Sequence, residues 1–260
     1  MARKFPILQA LIAACLFGAS APFAKQLLGE MQPILLASFL YLGSGVGLTI
    51  YKFIQRVGSK NSGKEAEIGK KDWPWLFGAT VSGGIAAPIV LMVSLKHTSA
   101  ATASLLLNFE GVATALIAVL AFKEAVGRRI WSAVFLVTLA CILLSIDPTA
   151  KWGFSVGAVG ILCACALWGI DNNFTRYISA KDTVMIVAIK GTVAGCFNLF
   201  LAFSLGHSLP GASKILLSLT LGLFCYGLSI VFFILSMREL GSVRASAFFA
   251  SAPFLGAVFS

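Results

Sequence analysis

Two ionisable side chains stand inside stretches that are otherwise apolar. Glu110 lies midway along roughly 24 residues, 98–121, that hold no other charge, and Lys190 sits inside a second apolar run at 183–205. An ionisable group at the centre of a membrane-length helix costs about 3 kcal/mol or more unless it faces protein, a partner or water, so each is a functional candidate. Together, a carboxylate and an ammonium lining one cavity can grip the amine and carboxylate of a zwitterion, or take part in proton coupling. The same two groups, paired with each other, can instead lock two helices together. On this reading Lys190 is the expected counter-charge of Glu110.

Other side chains gather around these two. Asn108 precedes Glu110 by two residues, about 200° around a helix, so the two cannot share one narrow face and one of them is expected to bond across to another helix. Trp168 and Asn172 either serve a binding site or belong to the aqueous end of their span; Asp171 is read as part of that aqueous end. Tyr41 and Tyr226 offer hydroxyls or stacking to a cargo, or pack in the core. Lys25 and Arg176, one at the end of each of two similar segments, fit gating or snorkelling to lipid headgroups.

The chain that must position these groups is 260 residues long, 58% apolar and 12% charged, with a mean hydropathy of +0.93. That leaves too little polar surface to cover a soluble globule. The formal charge of +10 is spread over short segments between apolar runs, which excludes a nucleic-acid-binding face. All six cysteines fall inside apolar runs, so neither a disulfide framework nor a metal site is expected. The spans hold no paired carboxylates, no His-Asp constellation and no G-x-S-x-G turn. The chain therefore reads as no enzyme and as needing no cofactor.

A spanning helix needs about 20 apolar residues. Nine segments qualify: 6–28, 33–54, 73–95, 99–122, 130–147, 153–175, 183–205, 214–236 and 243–260. The longest link, 55–72, is polar and reads as a solvated loop. Of the 20 Lys and Arg residues, 15 fall on the side holding the N-terminus and four on the other, with Lys190 inside a span. The excess of basic residues predicts a cytoplasmic N-terminus.

The segment LFGASAPFAKQL, 16–27, recurs as LWGIDNNFTRYI, 167–178, with Gly18 on Gly169, Phe23 on Phe174 and Lys25 on Arg176. Gly43 and Gly47 recur as Gly191 and Gly195, both G-x-x-x-G packing faces. Lys96, Ala103 and Ser104 recur as Arg238, Ala245 and Ser246, which brings Gly111 onto Pro253. Spans one to four thus correspond to spans six to nine. A repeat of five spans crosses the membrane an odd number of times, so its second copy enters from the opposite side. Residues 1–148 form the first unit and 149–260 the second, in which the counterpart of the fifth span is expected beyond Ser260, about 30 residues further on. Inverted repeats of this kind place a binding site near the midplane and support alternating access.

These residues resemble the EamA-type transporters of the drug/metabolite transporter superfamily. The resemblance rests on the opening motif that runs from Phe17-Gly18 to Lys25 and again from Trp168-Gly169 to Arg176, and on the basic-small-Ala-Ser run into the fourth and ninth spans. A Glu-Pro-like pair within each of those spans and the Lys123-Glu124 exit complete it. It implies an all-α membrane protein of two inverted five-helix units, ten helices with nine in this chain. It also implies a plasma-membrane location and carrier-mediated movement of small metabolites, amino acids or related compounds, often outward. The chain departs from the family pattern symmetrically. The usual Glu-Pro pair is split into Glu110-Gly111 and Ala252-Pro253, and the base common in the second span is Tyr41 in one half and Lys190 in the other. Without a P-loop, secondary transport is the expected mode, with a proton or ion as coupling partner. The competing reading, a retinal-type chromophore protein or another small-ligand-binding membrane protein, draws on the lysine and its carboxylate. Seven helices would fit it better than nine or ten.

Overall fold

The computed structural model describes residues 4–28, 31–58, 65–95, 97, 98, 100–146, 155–252 and 255. Helices occupy each of the nine apolar segments: α1 (Lys4–Leu28), α2 (Pro33–Gly58), α3 (Trp73–Ala79), α4 (Ala87–Leu95), α5 (Ala100–Leu106), α6 (Phe109–Leu120), α7 (Arg128–Ser145), α8 (Val156–Tyr177), α9 (Thr183–Ser204), α10 (Ala212–Leu221), α11 (Ser229–Leu240) and α12 (Ser242–Phe249). Seven-residue π-helical segments, Thr80–Ala86 and Gly222–Leu228, join α3 to α4 and α10 to α11. Among the described residues there is one isolated bridge, between Ala66 and Lys181, and no sheet. Among the described residues five helical stretches are long and apolar enough to cross a bilayer, 33–57, 73–91, 156–177, 183–204 and 212–240, and Lys4–Ser20 and Phe109–Leu120 are shorter apolar helices.

The helices start and stop where their sequences provide the means. Ser155 caps α8 by accepting from the Ala158 amide, and Asp182 caps α9 through that of Met185. α6 ends with Lys123 in the left-handed region at φ 53° and the Glu124 amide bonded back to the Ala118 carbonyl, which satisfies one of the last carbonyls of the helix. The outer surface carries large apolar side chains, among them Phe53, Phe77, Phe135 and Phe200, while small polar residues such as Ser38, Thr114, Ser229 and Ser236 are buried. That inverts the soluble pattern and suits lipid outside with hydrogen-bonding helices inside.

Helix pairings repeat between the halves. α1 packs on α11 as α8 packs on α4, α1 meets α12 as α8 meets α6, and α2 lies on the second π segment as α9 lies on the first. At the centre α2 crosses α9, and glycines allow the approach: a Cβ at Gly191 would come within 2.8 Å of the Gly45 nitrogen, and one at Gly195 within 2.7 Å of Leu42. The fold is thus all-α, an inverted repeat of two helical units.

Two expectations change. The fourth span, read as one helix over 99–122, is broken: Leu107 and Asn108 form a turn, with the Asn108 amide bonded to Leu105 O and the Glu110 amide to Leu107 O. These three-residue closures replace helical bonds and set α6 going from a fresh N-terminus. α12 gives way to a turn at Ala250 and Ser251, within one residue of the equivalent place. The loop 55–72 is also not solvated throughout. Glu65 accepts from the Thr183 amide and from Arg238 Nη1, Asp182 N donates to Ala66 O, and Asp72 pairs with Lys181 at 3.3 Å. The segment 65–72 clasps the α8–α9 link and the end of α11.

Candidate functional site

The break in the fourth span puts Glu110 in the first turn of α6, facing α8. There Asn172 Nδ2 donates to Glu110 Oε1 at 2.9 Å and to Thr114 Oγ1 at 3.1 Å. Thr114 follows Glu110 by one helical turn, so a single amide ties two positions of α6 to α8. The next residue, Asn173, donates to Thr114 O at 3.0 Å and to Gly169 O at 2.8 Å. Among the described residues no cation pairs with Glu110.

Lys190 has a different partner from the one the sequence suggested. Its ammonium donates to Asp171 Oδ1 and, at 3.0 Å, to Thr175 Oγ1, and the Thr175 hydroxyl donates to the same carboxylate at 2.9 Å. Asp171 and Thr175 lie one turn apart on α8, and the Lys190 side chain reaches both from α9. Asp171 is therefore not part of a solvated helix end: 14% of its side chain is exposed, against 13% for Lys190. Its carboxylate rests directly against Gly83 in the first π segment, where any Cβ would collide with it. A π turn leaves carbonyls without their usual helical donors. Here Gly83 O accepts from Trp168 Nε1 at 3.1 Å and Gly84 O from Asn198 Nδ2 at 3.5 Å.

Rings from both halves close the other side. Tyr41 and Tyr226 meet edge to face with centroids 5.9 Å apart, Phe17 lies 5.3 Å from Tyr226, and Phe249 5.2 Å from Phe17. Tyr41 stands on α2 against the residue that follows Lys190, since a Cβ at Gly191 would lie 2.9 Å from the Tyr41 carbonyl oxygen. One region therefore joins Glu110, Asn172, Trp168, Lys190, Tyr41 and Tyr226. Asn108 stands apart at the helix break, with its side-chain amide on Leu105 O at 3.1 Å. Arg176 lies at the end of α8, donating to Ser179 Oγ at 3.2 Å and lining a cavity of about 430 Å³ there. The Lys25 side chain is outside the described residues.

Sequence reasoning passed over Thr114, Asn173, Thr175 and Asn198 and set Asp171 aside. A signal for two of them was present, since Asp171 and Thr175, like Glu110 and Thr114, are four residues apart inside spans. With both acids ionised, Glu110 and Asp171 outnumber Lys190 by one charge, and that negative surplus suits a cationic group. No group of three or more His, Cys, Asp or Glu side chains among the described residues is placed to hold a metal ion.

Comparison with known proteins agrees with this architecture. Over its full length the chain is similar to an uncharacterized transporter of Methanothermobacter thermautotrophicus, with 24% identity over 272 residues and 79% of that protein covered. A protein of known crystal structure shares the fold at 16% identity with a TM-score of 0.74, over 96% of this chain and 85% of that one. The sequence profile of the EamA-like transporter family matches residues 4–146 and again 155–260, so the chain belongs to the EamA-like transporter family, multi-pass membrane transporters of small molecules.

Proposed function

We propose that this transporter is a secondary carrier that moves a small amine-bearing metabolite, an amino acid or a related compound, outward across the cell membrane by alternating access. The observation that carries this reading is Glu110, a carboxylate at a helix break between the two halves, held by Asn172 and paired with no cation among the described residues. An amine brought to it supplies the missing positive charge. Lys190 has three N–H donors and spends two on Asp171 and Thr175, which leaves one for a substrate carboxylate. Trp168, Tyr41 and Tyr226 supply an apolar and aromatic wall around the carbon skeleton. Rocking of the two units about α2 and α9, whose glycines permit close sliding contact, exposes the site to each side in turn. The units of this proposal are residues 1–148 and 149–260, with the N-terminus in the cytoplasm.

A proton is the natural coupling ion. On the return stroke, with no cargo bound, the occluded site holds a protonated Glu110 at less cost than a bare carboxylate.

The test is uptake and efflux of an amine-bearing metabolite panel in proteoliposomes. Glu110→Gln keeps the shape and an acceptor for Asn172 but removes the charge, and it is expected to lower transport at least tenfold at unchanged protein level. Transport at the parent rate in that variant would reject the role of Glu110. Transport confined to anions or neutral compounds would reject the cargo class.

A further inference from the structure

The end of α6 opposite Glu110 is built as carefully as its beginning. The left-handed Lys123 turns the chain so that Glu124, from the first half, meets the N-terminus of α12, from the second. Its Oε2 accepts from Ser242 Oγ at 2.9 Å and Ser242 N at 3.3 Å, and its Oε1 from Val243 N at 3.4 Å. Gly241 precedes them at φ 81°, and a Cβ there would run into the Glu124 carboxylate, so this junction requires glycine twice over. Ser242 also lies within hydrogen-bonding distance of Asn173 Oδ1, at 3.2 Å. From Asn173 the bonds pass to Thr114 O, and from the Thr114 hydroxyl to Asn172 and Glu110. Outside this junction lies the cavity of about 430 Å³, whose lining includes Phe122, Glu124, Arg176, Tyr177, Gly241 and Val243.

The geometry points to Glu124 as the latch of a gate between that cavity and the central site, released when α12 swings away from α6 about Gly241. The cavity is then the vestibule of the pathway on the side where α6, α8 and α11 end. This inference rests on the transport reading and adds to it a positioning residue remote from the cargo. Three observations support it. The carboxylate comes from one half and all three of its donors from the other. The glycine beside it has the backbone freedom of a hinge. The latch is joined to Glu110 by an unbroken run of buried hydrogen-bonding groups, Ser242, Asn173, Thr114 and Asn172, so a change at the site reaches the gate without passing through solvent.

The test reads the gate without cargo. Position 111 follows Glu110, and a Cβ there meets nothing within 4 Å, so Gly111→Cys is a reporter that fits. It is placed in a chain whose six native cysteines are replaced by alanine, and labelled in membrane vesicles of each orientation by a membrane-impermeant maleimide. Glu124→Ala is expected to speed labelling from the vestibule side about tenfold, the scale of losing a helix cap, and Ser242→Ala about threefold. Labelling from the opposite side is expected to stay the same or fall. An unchanged rate from the vestibule side in both variants, or an equal rise from both sides, overturns the latch. If Glu124→Ala does not reach the membrane, Ser242→Ala, which removes a single hydroxyl, decides alone. Loss of the transport reading shows instead as a failed metabolite panel with the labelling pattern intact.

Discussion

The two halves carry the same helices and opposite chemistry. On α8, Trp168, Asp171, Asn172, Asn173 and Thr175 make hydrogen bonds to the first π segment, α6 and α9. The equivalent positions of α1 are Phe17, Ser20, Ala21, Pro22 and Ala24. Ser20 turns back on its own helix, donating to Phe17 O at 2.6 Å, whereas Asp171 reaches across to Lys190. Tyr41 answers Lys190 with a ring instead of a charge, and Ala252 answers Glu110 with a methyl group. Symmetric packing thus holds an asymmetric site: at each pair of equivalent positions only one half keeps the charge, Glu110 in the first and Lys190 in the second, and rings from both halves stand beside them. Backbone pairing depends on small residues and helix lengths, which both halves keep, so the side chains facing the centre were free to diverge.

That contrast can be broken most forcefully at Lys190. Removing one partner of a buried ion pair leaves the other uncompensated, so Lys190→Met is expected to destabilise the fold by about 3–5 kcal/mol. The equivalent change in the first half, Tyr41→Phe, removes a hydroxyl only and is expected to cost about 1 kcal/mol or less. Thermal unfolding in detergent measures both, and similar losses would remove the distinction between the charged position and its aromatic equivalent.

Where the halves touch, the effect is intermediate. Gly191→Ala drives a methyl group into the backbone of Gly45 and Tyr41 and is expected to cost about 1–3 kcal/mol, while Gly111→Ala meets open space and is expected to be neutral or slightly stabilising. Equal behaviour of the two glycines in the same unfolding assay would mean that the α2–α9 crossing does not depend on close approach. The smallest change sharpens the polar side: Thr114→Val keeps the volume but withdraws the acceptor from Asn172, an expected loss of about 1 kcal/mol. No measurable shift would show that Asn172 is held by Glu110 alone.

Much of the fold is written in one-dimensional patterns. Apolar runs of spanning length, the repeat of LFG at 16–18 as LWG at 167–169, and the recurring glycines need only residue type and spacing to be read. The site was legible in part for the same reason, since a charge such as Glu110 or Lys190 stands out against an apolar run. Asp171 was misread because it lies near the polar end of α8, where the sequence looks like solvated helix. Nothing in the local pattern says that Gly83 and Lys190 lie against it. Thr114 and Asn173 were missed because hydroxyls and amides in a span declare no partner until a second helix is placed beside them.

The sequence by itself determined the class of the protein, its repeat and the presence of an acid where lipid would forbid one. These follow from the cost of burying charge and from helix length, quantities that belong to single segments. Only the tertiary structure decided which charge meets which. Lys190 belongs to Asp171 and Glu110 to Asn172, because adjacent residues of α8 point about 100° apart, one toward the Lys190 side chain and the other toward α6. Only the structure, too, broke the fourth span at Leu107 and Asn108 and set Glu124 on the start of α12. Partner choice depends on where helices sit in three dimensions, and the close approaches that fix their places, such as Gly191 on Gly45, join residues far apart in the chain.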